Sequence, residues 1–292
     1  MTQATLVAAP VPSWNGGPSP HPLSTVLRGG RPLVCGILNV TPDSFSDGGL
    51  FDSPDRAVEH GCRLAAEGAD LIDIGGESTR PGSRPPTSEE ELARVVPVVA
   101  ALVREVGVPL SVDTSRPEVM RAAVAAGASM INDVRALQVP GAVEEAARLD
   151  VPVCLMHMQR SPETMQADPH YDDVVPEVRA FLADRLAACR RAGVRQEHLL
   201  VDPGFGFGKT LPHNLELLSS LDAFGVLGVP VMVGLSRKSV LGQLTGRTVE
   251  ERLPGSLAAA LVAVQRGVSV LRVHDVAATR DVLAVLDAVG PV

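Results

Sequence analysis

The sequence predicts an α/β fold, a (β/α)8 TIM barrel in a single domain. Eight apolar, strand-like runs recur along the chain, and a segment with the apolar period of an amphipathic helix follows each run. Strands that alternate with helices favour a parallel sheet, and a closed barrel of eight such units takes roughly 250 residues. Residues 31–290 of this 292-residue chain supply that length.

Each predicted strand is an apolar run that stops at a polar residue or at a glycine-rich turn. The strands cover residues 33–38, 71–74, 110–112, 130–131, 151–156, 199–201, 231–233 and 268–271. The helices cover residues 55–67, 88–106, 116–126, 142–149, 174–192, 211–221, 249–266 and 276–288. Pro54 and Gly68 support the bounds of the first helix, since proline favours a helix start and glycine a helix end.

The first 30 residues are rich in proline, glycine and serine and show no apolar period. They predict a flexible N-terminal tail, in which a short strand or turn at residues 23–27 is expected to cover the barrel bottom. Residues 31–292 are then expected to form the barrel domain, and no stretch with the composition of a domain linker interrupts them.

The composition argues against several classes of function. A formal net charge of −8 argues against nucleic acid or an anionic membrane as the main partner. No apolar run approaches the ~18 residues of a membrane span, and the N-terminus lacks the features of a secretory signal. The four cysteines are Cys35, Cys62, Cys154 and Cys189. They lack metal-binding spacing, so we expect free, mostly buried thiols in a reducing, cytoplasmic compartment.

Polar side chains follow most of the predicted strands. In a (β/α)8 barrel the carboxyl ends of all strands open onto one face, where active sites lie. We therefore expect one pocket to contain Asn39, Asp113, Asn132, Asp202, Lys238, Arg272 and His274. The connections at residues 41–51, 78–87 and 159–171 are longer than packing requires, so we expect them to bind substrate or to close over it.

Eight short motifs occur at these strand ends. The first four are NVTPDSFSDGG from Asn39, GESTRPG from Gly76, SVDT from Ser111 and INDV from Ile131. The others are LMHM from Leu155, DPGFGFGKT from Asp202, SRKS from Ser236 and RVHDV from Arg272. Each motif alone is weakly specific. Together, in this order and at this spacing, they resemble the dihydropteroate synthases over about residues 33–285.

The resemblance implies a transferase of folate biosynthesis. Such an enzyme joins p-aminobenzoate to 6-hydroxymethyl-7,8-dihydropterin diphosphate, releases diphosphate and forms 7,8-dihydropteroate. Two other functions stay open. A methyltetrahydrofolate-binding methyltransferase domain also binds a pterin through acids and amides, but it needs no anion site and normally works with a corrinoid partner. A non-catalytic pterin-binding paralogue should have lost loop residues that this chain retains.

The pterin has a donor-rich edge. A reduced pterin presents an amino group beside a ring N–H, and both donors need carboxylate or amide acceptors. Asp113, Asn132 and Asp202 supply such acceptors from three predicted strands, and the resemblance implies that they bind the pterin. It also implies that Lys238 contacts another edge of the ring and that Met156 packs against the ring face.

The leaving group is a diphosphate, whose negative charges need cationic partners. Arg272 and His274 are two residues apart at the last predicted strand, and arginine suits fork-like phosphate contacts. The resemblance implies that they bind diphosphate together with Thr79 and Arg80. The side-chain oxygen of Asn39 is a hard ligand suited to Mg²⁺, which would neutralise the departing charge.

The nucleophile is a neutral aromatic amine, so the reaction needs no strong base. The resemblance implies an SN1-like path in which diphosphate leaves first and two ordered loops keep water away from a pterin cation. The implied catalytic residues are Asp43, Asp47, Arg80 and Lys238. The implied p-aminobenzoate contacts are Thr79, Pro81, Phe207 and Ser239.

Other polar residues are interpreted as structural or left open. Asp73 and His157 are expected to make structural hydrogen bonds, Asp133 to stabilise a turn and Lys209 to face solvent. Five histidines without partners at ligand spacing are also expected to face solvent: His21, His60, His170, His198 and His213. The roles of Arg237 and Glu77 stay open. Besides the two small-molecule substrates, the expected partner is a second copy of the chain, because the family is usually dimeric.

Overall fold

A computed structural model describes residues 22–27, 30–41, 54–78, 84–161 and 164–290 of the chain. Within them, eight strands form one parallel sheet. The strands are β1 (Leu33–Asn39), β2 (Leu71–Gly75), β3 (Leu110–Asp113), β4 (Met130–Asp133), β5 (Val153–Met156), β6 (Leu199–Asp202), β7 (Met232–Val233) and β8 (Val270–Val273). Their order is β6-β5-β4-β3-β2-β1-β8-β7, and a parallel bridge between Val201 and Val231 joins the two ends of the sheet. The predicted (β/α)8 barrel is therefore confirmed.

The helices surround the sheet. They are α1 (Pro22–Leu27), α2 (Pro54–Ala66), α3 (Ser88–Glu105), α4 (Pro117–Ala126), α5 (Ala142–Leu149), α6 (Val174–Arg191), α7 (Leu211–Ser219), α8 (Ser239–Thr245), α9 (Leu253–Gln265) and α10 (Val276–Val289). Three short 3-10 helices cover Gln196–His198, Leu221–Leu227 and Val249–Glu251. None of the helices that the structure describes is long and apolar enough to cross a membrane.

The predicted helix bounds hold closely for α2 to α6 and for α10. They fail in two places after β6. The helix predicted at residues 249–266 is divided into a 3-10 turn and α9, because Pro254 favours a new helix start at Leu253. Helix α8 was not predicted, since its seven residues include a glycine and show too little apolar period.

Side chains alternate along the strands, and this alternation divides the core. Outward-facing apolar residues pack against the helices, as Ile72, Ile74 and Val112 do. Inward-facing residues near the amino ends of the strands form a second cluster, into which Leu23 and Leu27 of α1 pack. Residues 23–27 thus cover the barrel bottom as predicted, but as a helix rather than a strand or turn.

The four thiols are free, as predicted. Cys35, Cys154 and Cys189 are buried, and Cys62 is half-buried. Cys35 and Cys154 belong to the inward-facing cluster at the barrel bottom. Burial raises the pKa of each buried thiol, so all three stay protonated and act as small apolar side chains.

Candidate active site

The strand ends bring the predicted residues together. In the parallel register, Asn39 lies beside Gly75, Gly75 beside Asp113, and Asp113 beside Asn132. On the next pair of strands Met156 lies beside Asp202. These residues, far apart in sequence, therefore line one rim of the barrel.

Arg272 lies between two carboxylates at the centre of the barrel mouth. Its Nε donates to Asp73 Oδ2 over 2.6 Å, and its Nη2 donates to Asp113 Oδ2 over 2.9 Å. Asp73 Oδ2 also accepts from Asn132 Nδ2 over 2.9 Å. The nitrogen of the Asn132 amide is thus engaged, which leaves its oxygen as an acceptor for a ligand.

Burial controls the ionisation of this mouth. Burial, with a further contribution from Asp73, raises the pKa of Asp113 to about 8 although Arg272 opposes the rise. Burial also raises the pKa of Asp202 and lowers that of Lys238 to about 8, and the two opposite charges partly offset these shifts. Burial alone would lower the pKa of Arg272, but Asp73 and Asp113 raise it above its ordinary range. The guanidinium therefore stays charged.

A glycine-rich loop follows Asp202 and folds back over β5. Gly204 has a φ of +72°, and a Cβ there would lie 1.9 Å from the His157 carbonyl oxygen. Only glycine permits this close approach. The Gly204 N–H donates to Asp202 Oδ1 over 2.7 Å, which orients the carboxylate at the strand end. The other carboxylate oxygen remains available to a ligand.

Lys209 is buried, with 3% of its surface exposed, so the prediction that it faces solvent is wrong. Its Nζ lies 2.8 Å from the Gly204 oxygen, 2.9 Å from the Phe207 oxygen and 2.9 Å from His157 Nδ1. His157 therefore makes a structural hydrogen bond, as predicted, and its ring contacts Phe181 edge-on with centroids 4.9 Å apart. Burial and Lys209 lower the pKa of His157 to about 2, so the ring is neutral and Nδ1 accepts.

An apolar wall borders Lys238. Phe207 packs against a cluster of Met156, Val134, Met158 and Met165. Lys238 Nζ lies 4.5 Å from the centre of the Phe207 ring and donates to the Phe205 carbonyl. The mouth thus combines an apolar face with a row of acceptors and one ammonium, as a flat ring with polar edges requires.

Next to this wall, β7 and β8 end in paired polar residues. The Ser236 hydroxyl accepts from the His274 N–H over 3.2 Å and lies 3.1 Å from His274 Nδ1. Burial, Arg237 and Arg272 lower the pKa of His274 to about 4, so this ring is neutral before any anion binds. The role of Arg237, which the sequence left open, is structural. Arg237 donates to Asp275 over 3.0 Å and so joins the segments that follow β7 and β8.

Comparison with known proteins gives relatives along nearly the whole chain. The pterin binding enzyme family matches residues 35–274. The dihydropteroate synthase of Escherichia coli strain K12 is 52% identical over 264 residues, which cover 90% of this chain and 94% of that protein. The chain belongs to the dihydropteroate synthase family.

Solved dihydropteroate synthase structures have the same fold. A Xanthomonas albilineans dihydropteroate synthase with 4-aminobenzoic acid is 59% identical, with a TM-score of 0.85, and the match covers 90% of this chain and 94% of that chain. The same organism's enzyme in complex with 7,8-dihydropteroate is 57% identical, with a TM-score of 0.83, over 90% of this chain and 95% of that chain. These likenesses span the barrel and the strand ends described above.

The predicted site residues fall partly within and partly outside the described residues. The catalytic and loop residues predicted from the resemblance, namely Asp43, Asp47, Thr79, Arg80 and Pro81, lie outside the described residues. Asn39 is described, and it ends β1 at the rim. Ser239 is exposed at the start of α8, directly after Lys238. The ligand roles of these residues stay predictions.

Two buried residues near the mouth have partners that the sequence did not indicate. Asp73 makes structural hydrogen bonds, as predicted, and their donors are two residues of the predicted site, Asn132 and Arg272. Its position two residues before Gly75 on β2 places it on the inward face, which strand alternation could have indicated. Lys209 was placed in solvent. The sequence did set Lys209 apart, because only two of the 26 basic residues (Lys and Arg) are lysines.

The remaining polar residues support the loops. Glu77 pairs with Arg135 over 2.8 Å just before the loop that carries the predicted Thr79 and Arg80. Asp133 accepts from the backbone N–H groups of Arg135 and Leu137, as expected of a turn residue.

The histidine predictions are only partly confirmed. His170 is exposed, whereas His60 and His213 are half-buried. His198 is fully buried beside Arg195, so the prediction that it faces solvent is wrong. Its 3-10 turn directs the ring inward. His21 lies outside the described residues.

Proposed function

We propose that this chain catalyses the condensation of 6-hydroxymethyl-7,8-dihydropterin diphosphate with p-aminobenzoate, which gives 7,8-dihydropteroate and diphosphate in folate biosynthesis. The observation that carries the proposal is the acceptor row of Asp113, Asn132 and Asp202 facing one mouth with Lys238. Relatives about half identical over nine tenths of the chain support the same reaction.

In this proposal the pterin lies flat in the mouth, with Met156 against its ring face. Asp202 accepts from the amino group and the adjacent ring N–H, since its second oxygen is not used by Gly204. Asn132 accepts through its oxygen because Asp73 holds its nitrogen. Asp113 accepts on the next edge, and Lys238 donates to the ring carbonyl or ring nitrogen on the far edge.

The diphosphate occupies the side of the mouth formed by β7 and β8. Arg272 and His274 bind it with Thr79 and Arg80, and Ser236 orients the His274 ring. Asn39 would hold a Mg²⁺ ion beside them, because its side-chain oxygen is a hard ligand at the end of β1, and diphosphate oxygens and water would complete the shell. When bound, the metal supplies charge neutralisation for the leaving group.

The chemistry is an SN1-like substitution. The bond between the pterin methylene carbon and diphosphate breaks first. The resulting cation favours the ionised form of the buried Asp113 and Asp202 carboxyl groups, whose pKa values burial raises, and these carboxylates then stabilise it. Asp43, Asp47 and Arg80 act from the loops that exclude water. The amine of p-aminobenzoate then bonds to the methylene carbon and loses one proton. Phe207, Ser239, Thr79 and Pro81 bind its ring and carboxylate.

The chain acts in the cytoplasm as a homodimer. Free thiols suit a reducing compartment. Helices α7, α8 and α9 contact one another and expose Leu215, Leu244, Leu253 and Val262, and such exposed apolar side chains suit a subunit interface. Its remaining partners are the two small-molecule substrates.

Turnover tests this function directly. Purified protein is given pterin diphosphate, p-aminobenzoate and Mg²⁺, and both dihydropteroate and released diphosphate are measured. We expect equal amounts of the two products. Excess chelator should abolish turnover while the circular dichroism spectrum stays unchanged, because the metal assists the leaving group and does not stabilise the barrel.

The Asp202→Asn variant tests the proposed pterin contact. It keeps the shape of the side chain but places a donor against a pterin donor, so we expect turnover to fall by at least about 10-fold, as the loss of a charged hydrogen bond implies. Binding of methyltetrahydrofolate without diphosphate release would favour a methyltransferase domain. Pterin binding without turnover would favour a non-catalytic paralogue.

A further inference from the structure

The loop at residues 203–210 is held by side chains at every carbonyl of its central part. Tyr171 donates to Gly208, and Gln166 donates to Gly206. Lys238 donates to the Phe205 carbonyl. The carbonyls of residues 204 and 207 are both bound by Lys209. This loop has no helix or strand ladder of its own, so each of these donors holds the carbonyl that it binds.

Lys209 is the innermost of these donors. Its Nζ has three acceptors within 2.9 Å, namely the Gly204 oxygen, the Phe207 oxygen and His157 Nδ1, while the His157 oxygen lies farther away, at 3.5 Å. Among the described residues, no carboxylate lies within ion-pair distance of it. Burial lowers the pKa of Lys209, while three acceptors match the three N–H groups of an ammonium and favour the charged form.

The chain keeps a lysine here although it uses arginine almost everywhere else. Of 26 basic residues only Lys209 and Lys238 are lysines, and both bind carbonyls of this loop. A guanidinium is a planar fork, whereas the ammonium is compact and directs its donors around one point. The three acceptors around Lys209 therefore suit a lysine and not an arginine.

The carbonyl of Phe207 has Lys209 as its side-chain donor, and the Phe207 ring lies beside Lys238. We propose that Lys209 is a positioning residue for p-aminobenzoate, acting through the Phe207 backbone to hold the Phe207 ring at the mouth. This inference rests on the proposed role of Phe207 in binding p-aminobenzoate. Lys209 itself, 3% exposed, does not touch the substrate.

A double-mutant cycle tests the proposal. The KM for p-aminobenzoate and kcat are measured for wild type, Lys209→Met, Phe207→Ala and the double variant. We expect Lys209→Met and Phe207→Ala each to raise this KM by at least about 10-fold, as the loss of a charged hydrogen bond or of a ring contact implies. In the double variant, Lys209→Met should add less than 3-fold to the effect of Phe207→Ala.

Two further variants separate positioning from stability and from charge. Lys209→Arg keeps the charge, and we expect it to share the KM defect because its planar group does not meet the three acceptors. Tyr171→Phe removes a donor from the Gly208 carbonyl of the same loop. We expect Tyr171→Phe to leave the p-aminobenzoate KM within about 3-fold of wild type, since the Tyr171 hydroxyl does not bind the Phe207 carbonyl.

The two-lysine composition gives a measurement without activity. Protein labelled with lysine that carries 13C only at the ε carbon has two side-chain resonances, and Lys238→Met assigns them. In wild type loaded with pterin and diphosphate, we expect the Lys209 resonance to shift when p-aminobenzoate binds. The reason is that Phe207 accepts from Lys209 through its carbonyl and, in the proposed site, contacts p-aminobenzoate through its ring. This measurement needs no variant of Lys209 to fold.

The outcomes distinguish a failure of the proposed function from a failure of the positioning role of Lys209. Absence of turnover in wild type would overturn the proposed function. An unchanged p-aminobenzoate KM in Phe207→Ala would overturn the role of Phe207. If that KM rises but the two substitutions multiply, or if the Lys209 resonance does not respond to p-aminobenzoate, Lys209 does not position Phe207.

Discussion

The orientation of the Asn132 amide illustrates how a buried residue outside the acceptor row determines what the site can bind. Asp73 has only acceptor atoms when ionised, so the group that Asn132 directs toward it is the NH2 group. The oxygen then faces the mouth. Arg272 is fixed by the same Asp73 oxygen. One inward-facing carboxylate on β2 thus orients a pterin acceptor and an anion-binding cation.

Replacing Asp73 should therefore weaken pterin binding. In Asp73→Leu, Asn132 and Arg272 lose their shared acceptor, and an unsatisfied buried donor costs about 1–3 kcal/mol. We expect pterin affinity to fall by at least about 10-fold. Asp73→Asn retains an oxygen that can accept both bonds, so we expect a smaller loss. Calorimetric titration of the folded variants with a pterin measures both, and wild-type affinity in Asp73→Leu would contradict the orienting role.

At the scale of elements, the loop after β6 depends on one close approach. A Cβ at Gly204 would stand 1.9 Å from the His157 carbonyl oxygen, and the residue has a φ of +72°. Gly228 has a nearly equal φ of +68°, but nothing lies within 4 Å of its Cβ position. A comparison of alanine substitutions at Gly204 and Gly228 therefore separates the cost of backbone strain from the cost of a steric clash.

Gly204→Ala should destabilise the protein more than Gly228→Ala. A left-handed alanine costs roughly 1–2 kcal/mol at either position. At Gly204 the clash also pushes the loop from β5 and moves the N–H that orients Asp202, so we expect a further loss of stability and a loss of turnover. Denaturant unfolding and the turnover assay measure the two effects. Equal unfolding free energies for the variants would show that the loop tolerates displacement.

The elements differ in how far the sequence predicts them. Apolar period alone locates the eight strands and most helices, because each faces a continuous core on one side. It misses α8 and the division before α9, where short segments and Pro254 interrupt the period. The strand-end residues Asp113, Asn132 and Asp202 are predictable because barrel geometry brings all strand ends to one rim.

The rest of the site depends on contacts that no local pattern contains. Lys209 was assigned to solvent because a lysine in a polar loop usually lies there. Its burial follows from the path of the preceding loop, in which Gly204, Gly206 and Gly208 all have positive φ and bring carbonyls together around Nζ. Such a path is a tertiary property. The lysine count was the one signal in the sequence that set this residue apart.

At the scale of the whole molecule, α9 is an outer helix without a charged side chain along its thirteen residues. It is apolar on two sides: Ala259, Ala260 and Ala263 are buried against the barrel, while Leu253 and Val262 are exposed. A helix on a barrel surface is expected to be polar on its outer face. An exposed apolar face that adjoins exposed residues of α7 and α8 suits a second protein surface, and the proposed homodimer provides one.

Charge on this face should therefore separate the subunits. In Val262→Glu a carboxylate enters the proposed interface, where burial of an unpaired charge is costly, so we expect the dimer to dissociate. Light scattering after size exclusion should give twice the chain mass for wild type and one chain mass for the variant. Val285→Glu on α10 is the matched control, since Val285 is 65% exposed and lies on another helix. If Val262→Glu remains dimeric, or if Val285→Glu dissociates the dimer instead, the subunits do not meet through α9.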